Sequence, residues 1–229
     1  LDANLQLIVI ESRGQGRSWP PPTPAEASIE RYGSDVLAVV AKLALDRWYI
    51  GGHSLGGMIA LEIAGRRPAG LRGVIALEGW VHARVQRIAF PESAPPSPAG
   101  RTEARRQRED RYRSQRWTAE EFAALGRIWT AWNSGESIVR AIRYPLLSVW
   151  GDRGRVTRPS RSQLLLPDAP NVQVHWVAGA DHYVTDPPFA GEVSRVITEF
   201  IRGVEAAATG VCQTHGGRAP PFLAKLACR

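Results

Sequence analysis

Between the apolar run Trp48-Tyr49-Ile50 and the apolar, alanine-rich stretch Met58-Ile59-Ala60-Leu61-Glu62-Ile63-Ala64 lie six residues, Gly52-His53-Ser54-Leu55-Gly56-Gly57. A serine with glycines two positions to either side, entered from a strand and left through a helix, marks a strand–turn–helix corner known as a nucleophile elbow. The turn is expected to be so tight that side chains at 52 and 56 would collide with neighbouring backbone, which calls for glycine at both. The strained serine then stands above the sheet edge, close to the positive end of the following helix. Ser54 is the candidate nucleophile. A glycine-rich turn with an incidental serine is the plainer reading, and it does not account for the strand on one side and the helix on the other.

At 229 residues the chain can bury one good-sized core, whereas two full domains would be cramped. No apolar stretch approaches membrane-spanning length, and the N-terminus lacks the basic-then-apolar pattern of a secretory signal. A membrane span is therefore not expected and a cytoplasmic location is favoured, although a first residue of Leu1 leaves open what precedes it. The net charge of +7 is carried by arginine, because only Lys42 and Lys225 among the 29 basic residues are lysine. No nucleic-acid motif accompanies that charge, so a GC-rich coding sequence explains it more simply than a nucleic-acid partner. Cys212 and Cys228 both lie near the C-terminus and make no disulfide framework.

Five apolar runs read as buried parallel strands: Leu5–Ile10, Arg47–Ile50, Gly73–Leu77, Leu146–Trp150 and Val172–Val177. Helical patterns at Ser34–Leu45, Leu55–Arg66 and Gly191–Arg202 separate most of them. The alternation predicts an α/β fold, a mostly parallel sheet with helices on both faces, whose chemistry sits at the C-terminal ends of the strands. Residues 81–143 interrupt it with a proline-rich loop, the charged run Arg101–Arg116 and a helical pattern containing Phe122, Leu125, Ile128, Trp129 and Trp132. This insertion is expected to form a helical lid, with residues 1–80 and 144–229 forming the core. Aromatics at helical spacing are most simply packing contacts, with Trp117, Trp129 and Trp132 also candidates to face an apolar substrate.

Three further segments carry a family resemblance. Glu11-Ser12-Arg13-Gly14-Gln15-Gly16-Arg17-Ser18 resembles the Asp-x-Arg-Gly-x-Gly-x-Ser turn of α/β-hydrolases. Pro145 to Arg153 resembles the strand before that fold's acid loop, and Ala178-Gly179-Ala180-Asp181-His182-Tyr183 resembles its histidine loop. What the resemblance implies is the α/β-hydrolase fold, with Ser54 as nucleophile and His182 as general base. The chemistry agrees, since a serine hydroxyl becomes a useful nucleophile once an imidazole takes its proton. That imidazole must be held in the right tautomer by a carboxylate. His53, expected to point away from Ser54, His82 and His175 are read as structural.

The sequence departs from the family pattern at the acid and at the front end. Gly154 stands where the family's acid loop carries its aspartate. Glu78, ending the strand that follows the elbow helix, is the first candidate acid, and Asp152 is the alternative. For Glu78 the plainer reading is a surface carboxylate paired with an arginine of the lid. The family's central strand, which ends in His-Gly and donates a second N–H to the oxyanion, has no counterpart before Leu5. Val211 to Gly217 ends in His215-Gly216-Gly217, and residues 220–227 read as a short helix, so residues 210–229 are expected to supply that strand by circular permutation. The oxyanion hole would then combine the N–H groups of Leu55 and Gly217.

These features make the expected activity hydrolysis of a small-molecule carboxylic ester with an apolar part, needing no metal or organic cofactor. The same corner also supports C–C bond, lactone or amide hydrolysis and cofactor-free haloperoxidation. A degenerate, non-catalytic ligand binder is the alternative of a different class. Oligomeric state is not legible.

Overall fold

The computed structural model describes residues 5–14, 17–18, 26–90 and 118–209. Four strands, β1 (Trp48–His53), β2 (Leu71–Leu77), β3 (Leu146–Gly151) and β4 (Val172–Val177), form one sheet in the order β1-β2-β3-β4. Every neighbouring pair is parallel. Helices α1 (Ile29–Lys42) and α2 (Leu55–Gly65) precede and follow β1. Helices α3 (Ala83–Ala89), α4 (Ala119–Ala131) and α5 (Gly135–Arg140) lie between β2 and β3 in the chain, and α6 (Ala190–Thr209) follows β4. The sheet is covered on both faces, as its continuous apolar strands require.

One face carries a core built from α1, α2 and the inserted helices, with Ile29, Tyr32, Met58, Leu61, Ile63, Val85 and Trp132 among its buried residues. The other carries the stripe Val193, Val196, Phe200, Ile201 and Val204 of α6 against Ile75, Leu77, Leu147 and Val149. That stripe recurs every three to four residues, the period of one helix face. Helix α1 starts at Ile29, five residues before the predicted start, because Ser28 Oγ accepts the N–H of Arg31 at 3.1 Å and caps it. Helix α6 runs past the predicted end at Arg202 through Glu205-Ala206-Ala207-Ala208, where alanine sustains the helix.

The described end of the insertion packs into the core. Trp132 is buried and its indole N–H donates to Glu62 Oε2 on α2 at 3.3 Å, while Trp80 Nε1 donates to the carbonyl of Trp129 at 3.2 Å. Trp132 is thus a packing residue. Trp117 and residues 91–116 lie outside the described residues.

One predicted strand is absent. Leu5–Ile10 forms no strand, and Leu7, Ile8 and Val9 are exposed, although Leu5 and Ile10 pack against the two cores. A strand is made by a hydrogen-bonded neighbour, and among the described residues neither edge strand, β1 or β4, pairs with residues 5–10. The turn that follows is ordered without it. Glu11 accepts the N–H and guanidinium of Arg17, which lower its pKa, and Arg13 forms a two-bond pair with Asp35 of α1 at 2.5 Å. Residues 210–229, expected to supply the permuted strand, lie outside the described residues.

Candidate active site

Three strands end side by side, and the residue just beyond each end is one of the candidates. His53 pairs with Leu77 in register, and Ser54 N–H donates to Leu77 O at 2.8 Å. Glu78 N–H donates to Val149 O at 2.8 Å, and Asp152 N–H to Val177 O at 3.1 Å. Ser54, Glu78 and Asp152 therefore follow one another along the C-terminal edge of the sheet, where a parallel α/β sheet places its chemistry.

The elbow is strained as expected. Ser54 has φ 56° and ψ −118°, a positive φ that few side chains adopt. Its carbonyl accepts from Gly57 N and Met58 N, which starts α2. The glycine requirement is distributed differently from the sequence expectation. A Cβ at position 52 would overlap the backbone of Gly56, but a Cβ at position 56 would meet nothing within 4 Å. The second crowded position is 57, where a Cβ would lie 2.9 Å from the Cα of Gly79. Gly56 serves the turn by offering its backbone to position 52.

Glu78 is fully buried, at 0% exposure, with φ 53°. Its Oε2 accepts from His182 Nδ1 at 3.3 Å. With Nδ1 as donor, the neutral imidazole presents Nε2 as its basic nitrogen. Glu78 Oε1 accepts the N–H of Gly151 at 2.5 Å. The carboxylate is also paired with Arg153, whose Nη2 reaches Oε2 at 2.6 Å and whose Nη1 reaches Oε1 at 3.3 Å. The plainer reading of Glu78, a surface group paired with a lid arginine, gives way to a buried group paired with an arginine of the β3–β4 connection.

The histidine loop is pinned from several sides. A Cβ on Gly151 would overlap the carbonyl oxygens of Ala180 and Asp181, so the loop rests directly on the end of β3. Asp152 Oδ1 accepts the N–H groups of Gly179 at 2.7 Å and Gly154 at 2.9 Å, and Oδ2 accepts from Arg158. Burial would raise the Asp152 pKa, but these donors outweigh it and hold it below the ordinary carboxylate range. Asp152 thus ties two loops together and makes no contact with His182.

His53 packs against the histidine loop. Its Nε2–H donates to the carbonyl of His182 at 2.6 Å, and the two rings lie 4.6 Å apart. Phe90, at the end of α3, meets the His182 ring edge-on at 4.9 Å and Trp80 at 5.5 Å. His82 caps α3 by accepting from Arg84 N, and His175 pairs with Glu192, so both are structural as expected. Among the described residues Ser54 Oγ makes no hydrogen bond, and the structure joins His182 to Glu78 and not to Ser54. Leu55 opens α2 directly after Ser54, and Gly217 is outside the described residues. No group of three or more His, Cys, Asp or Glu side chains able to hold a metal ion is found among the described residues. None of the described helices is long and apolar enough to cross a membrane.

Sequence reasoning missed Arg153, His53 and Phe90. Arg153 carries at most a faint signal, a charged residue between Asp152 and Gly154 directly after an apolar strand.

The family described as alpha/beta hydrolase fold matches residues 1–125, and a parallel sheet with helices on both faces is consistent with that fold. The chain belongs to that family. Among curated proteins it is similar to "Putative carbamate hydrolase RutD" of Rhizobium rhizogenes, at 36% identity over 83 residues, which is 36% of this chain and 31% of the relative. The protein of the same name from Pseudomonas syringae is 34% identical over 80 residues, or 35% and 30% of the two chains. The match thus spans about a third of these relatives' length. Among solved structures, "Est816 as an N-Acyl homoserine lactone degrading enzyme" has a TM-score of 0.61 at 23% identity, covering 82% of this chain and 80% of that one. A thermophilic esterase from Thermogutta terrifontis has a TM-score of 0.58 at 21% identity, covering 84% and 78%. At these identities the likeness is one of fold.

Proposed function

We propose that this chain is a serine hydrolase that cleaves carboxylic esters of small molecules through an acyl-enzyme. The observation that carries the reading is the His182–Glu78 hydrogen bond, set on the same sheet edge as a serine at φ 56°. In this reading Ser54 Oγ attacks the ester carbonyl while His182 Nε2 takes its proton, and Glu78 keeps the imidazole in that tautomer. The N–H of Leu55 steadies the oxyanion, and the tail residue Gly217 is assigned as the second donor. His182 returns the proton to the departing alcohol, and water then releases the acid by the same steps in reverse. Phe90, edge-on to His182, and Trp80, edge-on to Phe90, support a substrate with an apolar part. The described part of residues 81–143 belongs to the core, so the lid role is assigned to its remainder.

Hydrolysis of p-nitrophenyl acetate tests this. Wild-type protein should turn it over, and Ser54→Ala should lose at least about 10⁴-fold in kcat. An inactive wild type would return the chain to the ligand-binding class. An N-acyl homoserine lactone belongs in the same assay, because a lactone is a cyclic ester and Est816, similar in fold, is described as degrading that compound class.

A further inference from the structure

We propose that Arg153 is a positioning residue of this site: its guanidinium clamps the Glu78 carboxylate and sets how strongly that carboxylate supports His182. The inference rests on the Ser54–His182–Glu78 reading above. Glu78 Oε2 is shared, with Arg153 Nη2 at 2.6 Å and His182 Nδ1 at 3.3 Å, so the arginine holds the shorter bond to the atom that faces the imidazole. The second fork nitrogen, Nη1, bridges Glu78 Oε1 at 3.3 Å and Gly151 O at 2.7 Å, which ties the carboxylate to the end of β3. Both partners are removed from water, Arg153 at 5% exposure and Glu78 at 0%. The guanidinium also lies 4.5 Å from the centre of the Phe90 ring, whose edge contact with His182 closes the circle.

A planar fork that binds two carboxylate oxygens fixes orientation as well as charge, which a point charge does not. With Oε1 held by Gly151 N–H and Arg153, the carboxylate has one rotational setting, and in it Oε2 meets Nδ1. The second consequence is electrostatic. A fixed positive charge on the same carboxylate divides its pull on the imidazolium that forms during catalysis. Among the described residues, the other charged or titratable groups near this pair are His53 from β1, Asp152 and Arg155 from the β3–β4 connection, and Asp181 and Tyr183 of the histidine loop. Asp152 is committed to Arg158, Gly154 and Gly179, and Arg155 donates to the carbonyls of Ile88 and Ala89. Burial and then the charge of Arg153 lower the Arg155 pKa. Among the described residues, Arg153 is the guanidinium paired with Glu78.

Arg153→Met, Arg153→Gln and Arg153→Lys, assayed with p-nitrophenyl acetate over a range of pH, test the role. In the neutral variants that fold, checked by circular dichroism, kcat should fall about tenfold or more at a KM within about twofold of wild type. The acidic limb of their rate profile should move to higher pH by about half a unit or more, since imidazolium is better supported without the competing cation. Arg153→Lys keeps the charge and loses the fork, so its limb should stay in place while kcat falls about fivefold. A purely structural arginine would move no limb. A neutral variant with wild-type kcat and an unmoved limb overturns the proposal, as does a lysine variant whose limb moves as far as the neutral ones. If neither neutral variant folds, the lysine variant decides, with lowered kcat at unchanged KM supporting the role and wild-type kcat overturning it. Ser54→Ala, run alongside, separates the two levels. Full turnover there contradicts the assigned reaction, whereas an unmoved limb with Ser54→Ala inactive contradicts the role of Arg153 alone.

Discussion

Glu78→Gln is expected to lower kcat for ester hydrolysis by about 10³–10⁴-fold and to destabilise the fold by about 3 kcal/mol. The two effects come from one side chain. A carboxamide does not fix the Nδ1–H tautomer or offset the imidazolium charge, so the basic Nε2 is no longer presented. It also leaves Arg153, 5% exposed, without its counter-charge, and a buried ion pair broken on one side costs far more than the intact pair contributes. Asp152→Asn provides the contrast. Asp152 accepts from Gly154, Gly179 and Arg158 and does not touch His182, so its loss should loosen the loops by about 1 kcal/mol and lower kcat less than tenfold. Initial rates and thermal unfolding on the two variants check both halves, and the reverse ranking of the rates would move the acid role to Asp152.

Gly52→Ala is expected to cost about 3 kcal/mol or more, because its methyl would enter the backbone of Gly56, which has no rotamer to change. For a chain of this length that corresponds to a fall in Tm of about 6–12 °C. Gly56→Ala should be neutral or slightly stabilising, since the new methyl meets nothing within 4 Å and alanine is the better helix former in the first turn of α2. Differential scanning calorimetry on the pair measures this. A Gly56→Ala loss as large as that of Gly52→Ala would contradict the geometry of the turn.

The difference between those two glycines shows what a sequence does and does not carry. The pattern of glycines around Ser54 identifies the corner, because local backbone geometry leaves its mark on adjacent residues. Which glycine is crowded depends on where α2 turns back over β1, and spacing alone does not say. Glu78 was legible for a similar reason. Four apolar residues ending in a glutamate read as a buried strand delivering a carboxylate to a sheet edge. Arg153 was not, because a lone arginine after a strand looks solvent-facing. Its burial comes from a partner 75 residues earlier in the chain.

One reading failed through strand logic taken past its limit. Leu5–Ile10 has the composition of a strand, yet hydrogen-bonded partners make strands, and among the described residues this segment pairs with neither edge of the sheet. The parallel sheet, its covering on both faces and the placement of three candidates at strand ends were legible, because β/α alternation points to a parallel sheet with its chemistry at the C-terminal ends of the strands.

Peptide-resolved mass spectrometry after incubation with a fluorophosphonate probe addresses the central claim most directly, since the probe reacts only with a serine whose proton an adjacent base removes. The expected result is a single adduct on the peptide containing Ser54 in wild-type protein, with labelling slowed by orders of magnitude in His182→Ala. An adduct on another residue, no adduct at all, or labelling of Ser54 at the wild-type rate without His182 would contradict the account.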